Sequence, residues 1–406
     1  MRIAMGSRVG CWVGRTAGLF ALGALGCGAA PADSSGPPGT GTVDLENRAY
    51  IVGRDSGDVT VIDLNKMEVL GVLDTLGVNN HMAELNADFT KGYVDSSGTN
   101  ETVIFDTRAL KIQKRVRLGD EPTHLALSRD GKYLAVVNEA TNAVSFIDTS
   151  TDTEVKRLTG FSVPHFVRFA PDGIYAYVAN IGAHHITRIE MSSLTIDGEI
   201  VLDGFQGSPH PTEAEDEGGF ADVQIDASGV LYGAHAATGR VLVYDTVSRS
   251  KVGELKVGAK PWIVYAEHPF ASVTHHVVPN FGDETVSLIR PGQASMGGSA
   301  PGADSESYGV NYSPLAPGLA FVMNRVRSEI AVVDTDVRQV VKNIPVGGNT
   351  ETASTTADGK FIVAAVSSAN RVVVIDTVTK TIVRQFDNIG RYPWSVTIPR
   401  GQNYCH

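Results

Sequence analysis

The sequence predicts an all-β chain, an eight-bladed β-propeller closed by its C-terminal strand, and three observations carry that expectation. Short apolar strands ending in an acid recur at Asp63 (VTVIDL), Asp106 (TVIFDT), Asp148 (VSFIDT), Glu190 (ITRIEM), Asp245 (VLVYDT), Asp334 (IAVVDT) and Asp376 (VVVIDT). With a degenerate eighth mark ending at Arg290 (VSLIR), they lie 42 to 45 residues apart, except for one interval of 55 between Glu190 and Asp245. A period of that length is the signature of propeller blades. The second observation is that Asp130-Gly131, Asp172-Gly173, Ser228-Gly229 and Asp358-Gly359 stand at matching places between alternating apolar runs, where a tight hairpin turn needs positive φ. The third is composition: 43 Gly and 18 Pro punctuate the chain too often for long helices. Seven blades is the alternative if VSLIR and the irregular residues 290–306 do not form a sheet.

Length and charge bound the rest. At 406 residues the chain exceeds the size at which a single compact core stops growing, which a repeat architecture accommodates. Apolar residues make up 42% and charged residues 19%, enough core material for a folded chain. Lys and Arg total 34 against 45 Asp and Glu, a net charge of -11, so nucleic acid is not an expected partner.

Taken in chain order, residues 1–26 read as a lipoprotein signal peptide. Arg2, Arg8 and Arg15 precede an apolar run at residues 16–26 (TAGLFALGALG), too short to span a bilayer. It ends at Ala24-Leu25-Gly26-Cys27, which resembles the lipobox of bacterial lipoproteins, although that family usually has Leu where this chain has Ala24. The resemblance implies lipidation of Cys27, a membrane anchor, and a periplasmic, outer-membrane location. Cleavage at plain small residues is the alternative. Residues 27–43 (CGAAPADSSGPPGTGTV) read as a flexible tether. Cys11 leaves with the signal, so Cys405 has no intrachain partner and no disulfide framework is expected.

Residues 44–400 form the propeller, and 401–406 read as a tail. RAYIVG at residues 48–53 looks like the second strand of a unit and PWSVTIP at residues 393–399 like a first strand, so the last strand completes the first blade. The long interval places an insertion (SPHPTEAEDEGG) between residues 202 and 220. Residues 290–306 (RPGQASMGGSAPGADSE) read as a loose loop.

The first strand of a blade lines the central channel. Setting the turns in register puts His81, Thr123, His165, Ala221, Trp262, Glu351 and Trp394 at one mouth, with His124 joining after a one-residue slip. The blade-seven position is left blank. The insertion carries His210 above that funnel, and His184 and His235 fall near second-to-third-strand loops on the same side. Convergent imidazoles suit a transition metal or haem iron, so His81, His124, His165 and His210 are candidate metal ligands. The alternative is that these histidines are structural, bonding across the channel. Trp262 and Trp394 read as hub packing or as a stacking platform; His275-His276 read as strand residues. The sequence contains no Gly-x-Ser-x-Gly, His-Glu-x-x-His, P-loop or Cys-x-x-Cys-His motif, and nothing in it fixes a reaction.

The VID-Thr wording resembles bacterial YVTN and YncE-like propellers over residues 48–399. A narrower resemblance, to the haem d1 domain of dissimilatory nitrite reductases and its stand-alone relatives, rests on residues 50–63 (YIVGRDSGDVTVID), 69–85 (VLGVLDTLGVNNHMAEL) and 267–289 (EHPFASVTHHVVPNFGDETVSLI). It implies Arg54 near the macrocycle and His81 on its iron; His165, Trp262 and Trp394, placed at the mouth by register, are the further candidate cofactor-binding residues. The family's two distal histidines are replaced by Pro261-Trp262 and Pro279-Asn280, and its attached cytochrome c is missing, so nitrite reduction lacks its general acids. The expected function is a lipid-anchored, monomeric, non-catalytic propeller binding a metal or a haem d1-like tetrapyrrole at its funnel. The competing expectation is an envelope protein-interaction scaffold. The third is a lactonase-like or oxidoreductase enzyme, for which only Glu351 and Asn280 are suggestive.

Overall fold

The computed structural model describes residues 43–205, 218–270, 273–302 and 306–404. The signal, the tether, Cys27, His210, Cys405 and His406 lie outside these residues. Eight antiparallel sheets follow one another along the described chain; six have four strands from inner to outer, the sixth blade has three and the eighth has five. This decides between eight blades and seven. Among the described residues the helical content is one 3-10 turn, Ser367–Ala369.

The repeated acid and threonine have a physical role. Asp63, Asp106, Asp148, Asp245, Asp334 and Asp376 each accept two backbone N–H bonds from the turn that follows, between the third and fourth strands. The next residue, where it is Thr107, Thr149, Thr246, Thr335 or Thr377, donates its hydroxyl to a carbonyl of the turn between first and second strands, at 2.5 to 3.0 Å. Each copy of the motif therefore ties its own two hairpins together. Gly131, Gly173, Gly229 and Gly359 sit in those turns with φ between 69° and 84°.

Sheets this small bury their apolar faces only against neighbours, and the core accordingly lies between blades. Ala49, Ile51 and Ile62 of blade 1 pack on Val363, Val372 and Val374 of blade 8, while Tyr50, Val52 and Val61 pack on Val94 and Phe105 of blade 2. Closure is as expected: Pro393–Thr397 pairs antiparallel with Arg48–Gly53 and is the inner strand of blade 1. Inner strands are also joined side by side, as where Thr352 and Ser354 donate to the carbonyls of Trp394 and Val396.

Two expectations are corrected. Residues 290–306 are not simply a loop, since Met296–Pro301 is the outer strand of blade 6, paired with Thr285–Ile289. The degenerate mark still makes a blade, but its inner segment is reduced to two bridges, Pro261 with Asn280 and Tyr265 with Val277. Residues 402–404 are not a free tail either. Gln402–Asn403 adds a fifth strand to blade 8 beside Thr350–Thr355. Gln402 accepts from the Tyr312 backbone, and buried Tyr404 lies edge-on to Tyr265 while donating to the Glu267 carbonyl. Burial of a large aromatic explains why this segment stays on the propeller.

Candidate functional site

Every regular inner strand has a slipped ladder at its opening. The slips fall between Asn80 and Ala83, Pro122 and His124, Pro164 and Phe166, Phe220 and Val223, Ser307 and Val310, and Thr350 and Ala353, with a matching one opposite Trp394. A bulge re-aims the residue it contains. His81, Thr123, His165, Ala221, Glu351 and Trp394 all occupy these irregular steps, and Tyr308 fills the blade-seven position that register alone left blank.

The structure brings the predicted rings together, as an arc over the adjoining blades 1 to 4 that reaches Trp262 of blade 6. Ring centroids are 5.3 Å apart for Trp394 and His81, 4.6 Å for His81 and His124, 4.4 Å for His124 and His165, and 6.2 Å for His165 and Trp262. His124 is fully buried and His81 and His165 half-buried. Thr123 and His124 both serve the site, so the register need not choose between them. Arg54 lies over Trp394 at 4.5 Å and bonds Asn79 at 2.5 Å.

The chemistry concentrates at His165. Its Nδ1 is 2.7 Å from the Ala221 carbonyl, an atom that can only accept, so Nδ1 carries a proton. Its Nε2 faces Glu139 Oε1 at 3.6 Å. Thr123 donates to the same carboxylate oxygen at 2.7 Å. Ligand atoms of His124, Glu139 and His165 all lie within 4.8 Å of one another. Tetrahedral zinc bonds of about 2.0 to 2.1 Å put neighbouring donor atoms roughly 3.4 Å apart, so small adjustments would let all three share one ion. Burial pushes the Glu139 carboxyl up to about 7, against the Thr123 hydrogen bond that lowers it.

Glu139 was missed from the sequence, although a signal for it exists. It is the first residue after the second strand of blade 3, and the equivalent positions are Arg54, Ser97, Ile181, Ala236, Phe281, Arg325 and Ser367. They form a second ring behind the inner-strand residues. From it Ala236, Phe281 and Arg325 join Lys260, Trp262 and Tyr308 around a cavity of about 200 Å³. Arg325 lies 3.5 Å over Tyr308 and pairs with Glu351 at 2.6 Å.

Other candidates stand elsewhere. His184 and His235 touch each other at 2.9 Å, with Phe205 stacked on His184. Burial, His184 and Arg240 push His235 down to about 3. His276 is buried and meets Asp226 at 3.4 Å, while His275 lies 3.9 Å from Asp336. Asn280 donates to Thr285 and Ser287, and Glu351 is held by Arg325 and by the Tyr392 hydroxyl, so the two suggested lactonase residues serve separate internal networks.

Fold and site together define an eight-bladed β-propeller with a cluster of imidazole, carboxylate and indole groups at one channel mouth. No protein-family model matches the chain. Antigen Lp49 of Leptospira interrogans is 26% identical over 144 residues, covering 32% of this chain and 31% of that protein, so the chain spans about a third of the curated relative it matches. Among solved structures, dihydro-heme d1 dehydrogenase NirN in complex with DHE aligns with a TM-score of 0.74 at 15% identity, covering 89% of this chain and 77% of its own. AztD from Citrobacter koseri aligns with a TM-score of 0.63 at 10% identity, covering 86% and 96%. Its apo structure aligns with a TM-score of 0.64 at 12% identity over the same shares. These likenesses establish a shared fold. The resemblance to the haem d1 propeller is thus matched in architecture.

Proposed function

We propose that this propeller binds a divalent transition metal ion at its funnel through His124, Glu139 and His165, with His81 beside them, and is not itself a catalyst. The observation that carries this reading is convergence: ligand atoms of His124, Glu139 and His165 all lie within 4.8 Å of one another, and the Ala221 carbonyl holds His165 by Nδ1 so that Nε2 points toward Glu139. A neutral imidazole whose other nitrogen is held by a carbonyl is the usual arrangement around a metal. Two imidazoles and a carboxylate suit zinc or ferrous iron and leave positions open for water or a ligand.

A tetrapyrrole is the second reading, since a structural neighbour is solved with DHE bound. His81 would serve as its iron ligand and Arg54 would flank it. Against it, the aromatic cavity at this mouth holds about 200 Å³, below the roughly 300 to 1,000 Å³ of drug-sized ligand sites, which favours an ion. We further propose that lipid on Cys27 anchors the protein in the bacterial envelope, where a protein partner could meet the propeller's loops.

The test is competition for zinc with a chromophoric chelator, using metal-free protein. His124→Ala and His165→Ala should each weaken binding by about 100-fold or more, while His81→Ala has a smaller effect. Unchanged affinity in both variants would remove the proposal. Haem absorbance in the native protein, lost in His81→Ala alone, would support the tetrapyrrole instead.

A further inference from the structure

The opposite end of the inner strands holds a larger cavity, of about 610 Å³, lined among others by Glu84, Arg129, Arg168, Glu267, His268 and Arg400. Its volume falls within the range of small-molecule sites. Four blades and the C-terminal segment contribute these six groups. Gln402, Asn403 and Tyr404 pack beside it, fixed by the bonds described above, so the segment that ends the fold also forms a wall.

Three guanidinium groups offer fifteen N–H donors. Their acceptors among the described residues are few. Arg168 meets Glu267 at 2.6 Å; Arg129 meets the same carboxylate at 3.5 Å and the Phe169 carbonyl at 3.3 Å; Arg400 pairs with Glu46 at 3.0 Å, where both side chains are more than half exposed. One carboxylate therefore serves two arginines, and the third has only a solvent-screened partner. His268 adds no positive charge at neutral pH, because burial pushes it down to about 4. Asp226 also lines the cavity, but its oxygens accept from Ser228, Val230, Tyr232 and Gly292.

We propose that this lower cavity binds a small polycarboxylate whose separate carboxylates reach Arg129, Arg168 and Arg400. Arg129 and Arg168 meet one carboxylate while Arg400 is turned to Glu46, so separate carboxylates on one ligand can serve both sets, and planar carboxylates match the guanidinium fork two bonds at a time.

Glu84 makes the site pH-sensitive. Burial, opposed by Arg168 and reinforced by Glu267, pushes its carboxyl up to about 7. Tyr93 faces it without charge, its own ionisation suppressed by burial and by Asp152 and Glu84. The remaining charged groups around it are Arg129, Arg400 and Asp226. An anion entering beside Glu84 requires the protonated acid, so apparent affinity follows the protonated fraction and falls about tenfold between pH 6 and pH 8.

The experiment is calorimetric titration with propane-1,2,3-tricarboxylate in a Glu139→Gln background, so that the upper mouth cannot respond through metal. Saturable binding is expected, about tenfold weaker at pH 8 than at pH 6. Arg129→Gln and Arg400→Gln should each weaken it about tenfold or more, and Glu84→Gln should abolish the pH dependence while keeping the tighter affinity. No heat at either pH, affinity unchanged from the parent protein in both arginine variants, or inorganic phosphate binding as tightly would overturn the proposal.

Discussion

Replacing Glu139 by Gln should strengthen the metal-free protein while destroying its metal affinity. Burial pushes the native carboxyl up to about 7 from its ordinary 4.5, with a smaller push from Glu121 and against the Thr123 hydrogen bond. A carboxylate whose folded value is raised binds more protons folded than unfolded. Its cost is therefore absent below about 4.5, grows as pH rises, and is complete above about 7. At about 1.36 kcal/mol per pKa unit, the ionised group at pH 8 costs roughly 3 kcal/mol. Glutamine keeps an oxygen for the Thr123 hydroxyl and turns an N–H donor toward His165 Nε2, so the substitution removes the cost and leaves no new buried polar atom. With an unfolding entropy of roughly 2.1 cal/mol/K per residue over the folded region, Tm should rise by about 4 °C at pH 8 and by only about 1 °C at pH 5. Differential scanning at the two pH values measures this, and chelator competition measures metal binding, which should fall by about 100-fold or more. A Glu139→Gln protein that gains no stability at pH 8, or that retains native zinc affinity, would refute the assignment of this carboxylate.

Metal affinity of the unmodified protein should drop about tenfold for each pH unit below 7, because binding must expel the Glu139 proton, and zinc titrations at pH 5, 6 and 7.5 read that slope. Tyr404→Ala should cost about 3 to 5 kcal/mol, or a Tm lower by about 4 to 7 °C, because it empties a buried site against Tyr265; an unchanged Tm would mean that the C-terminal strand is not part of the stable fold. Truncation before Pro393 should leave no cooperative thermal transition, since the inner strand of blade 1 is then missing. Cys27→Ser should move the protein from the detergent phase to the aqueous phase on fractionation, since the predicted lipid is its anchor.

Much of the architecture was legible because each repeat states its own hairpins. Asp148 and Thr149 show why: one caps the turn that follows and the other bonds back to Gly131, so the pattern VSFIDT encodes contacts within about twenty residues. The same register located His81, His165 and Trp394, since a residue at the opening of an inner strand must fall at the channel mouth. Glu139 escaped because its contribution comes from a loop after a second strand and depends on a neighbour's backbone carbonyl. Blade 6 was legible only in part, as VSLIR lacks the acid that marks the other seven turns. The lower cavity was not read from the sequence, because only Glu84 and Arg168 hold the same place in their inner strands, while Glu267 and Arg400 stand outside that register.

Sequence alone determined the class of fold, the length of the repeat and the closure by the last strand, because strand alternation, turn glycines and capping acids act between residues close in the chain. Tertiary structure decided which histidine nitrogen is held by a carbonyl, which carboxylate faces the ring, and where the arginines gather. Those outcomes arise from contacts between repeats, where bulges re-aim side chains by ångströms and burial shifts their protonation, and no local pattern records either.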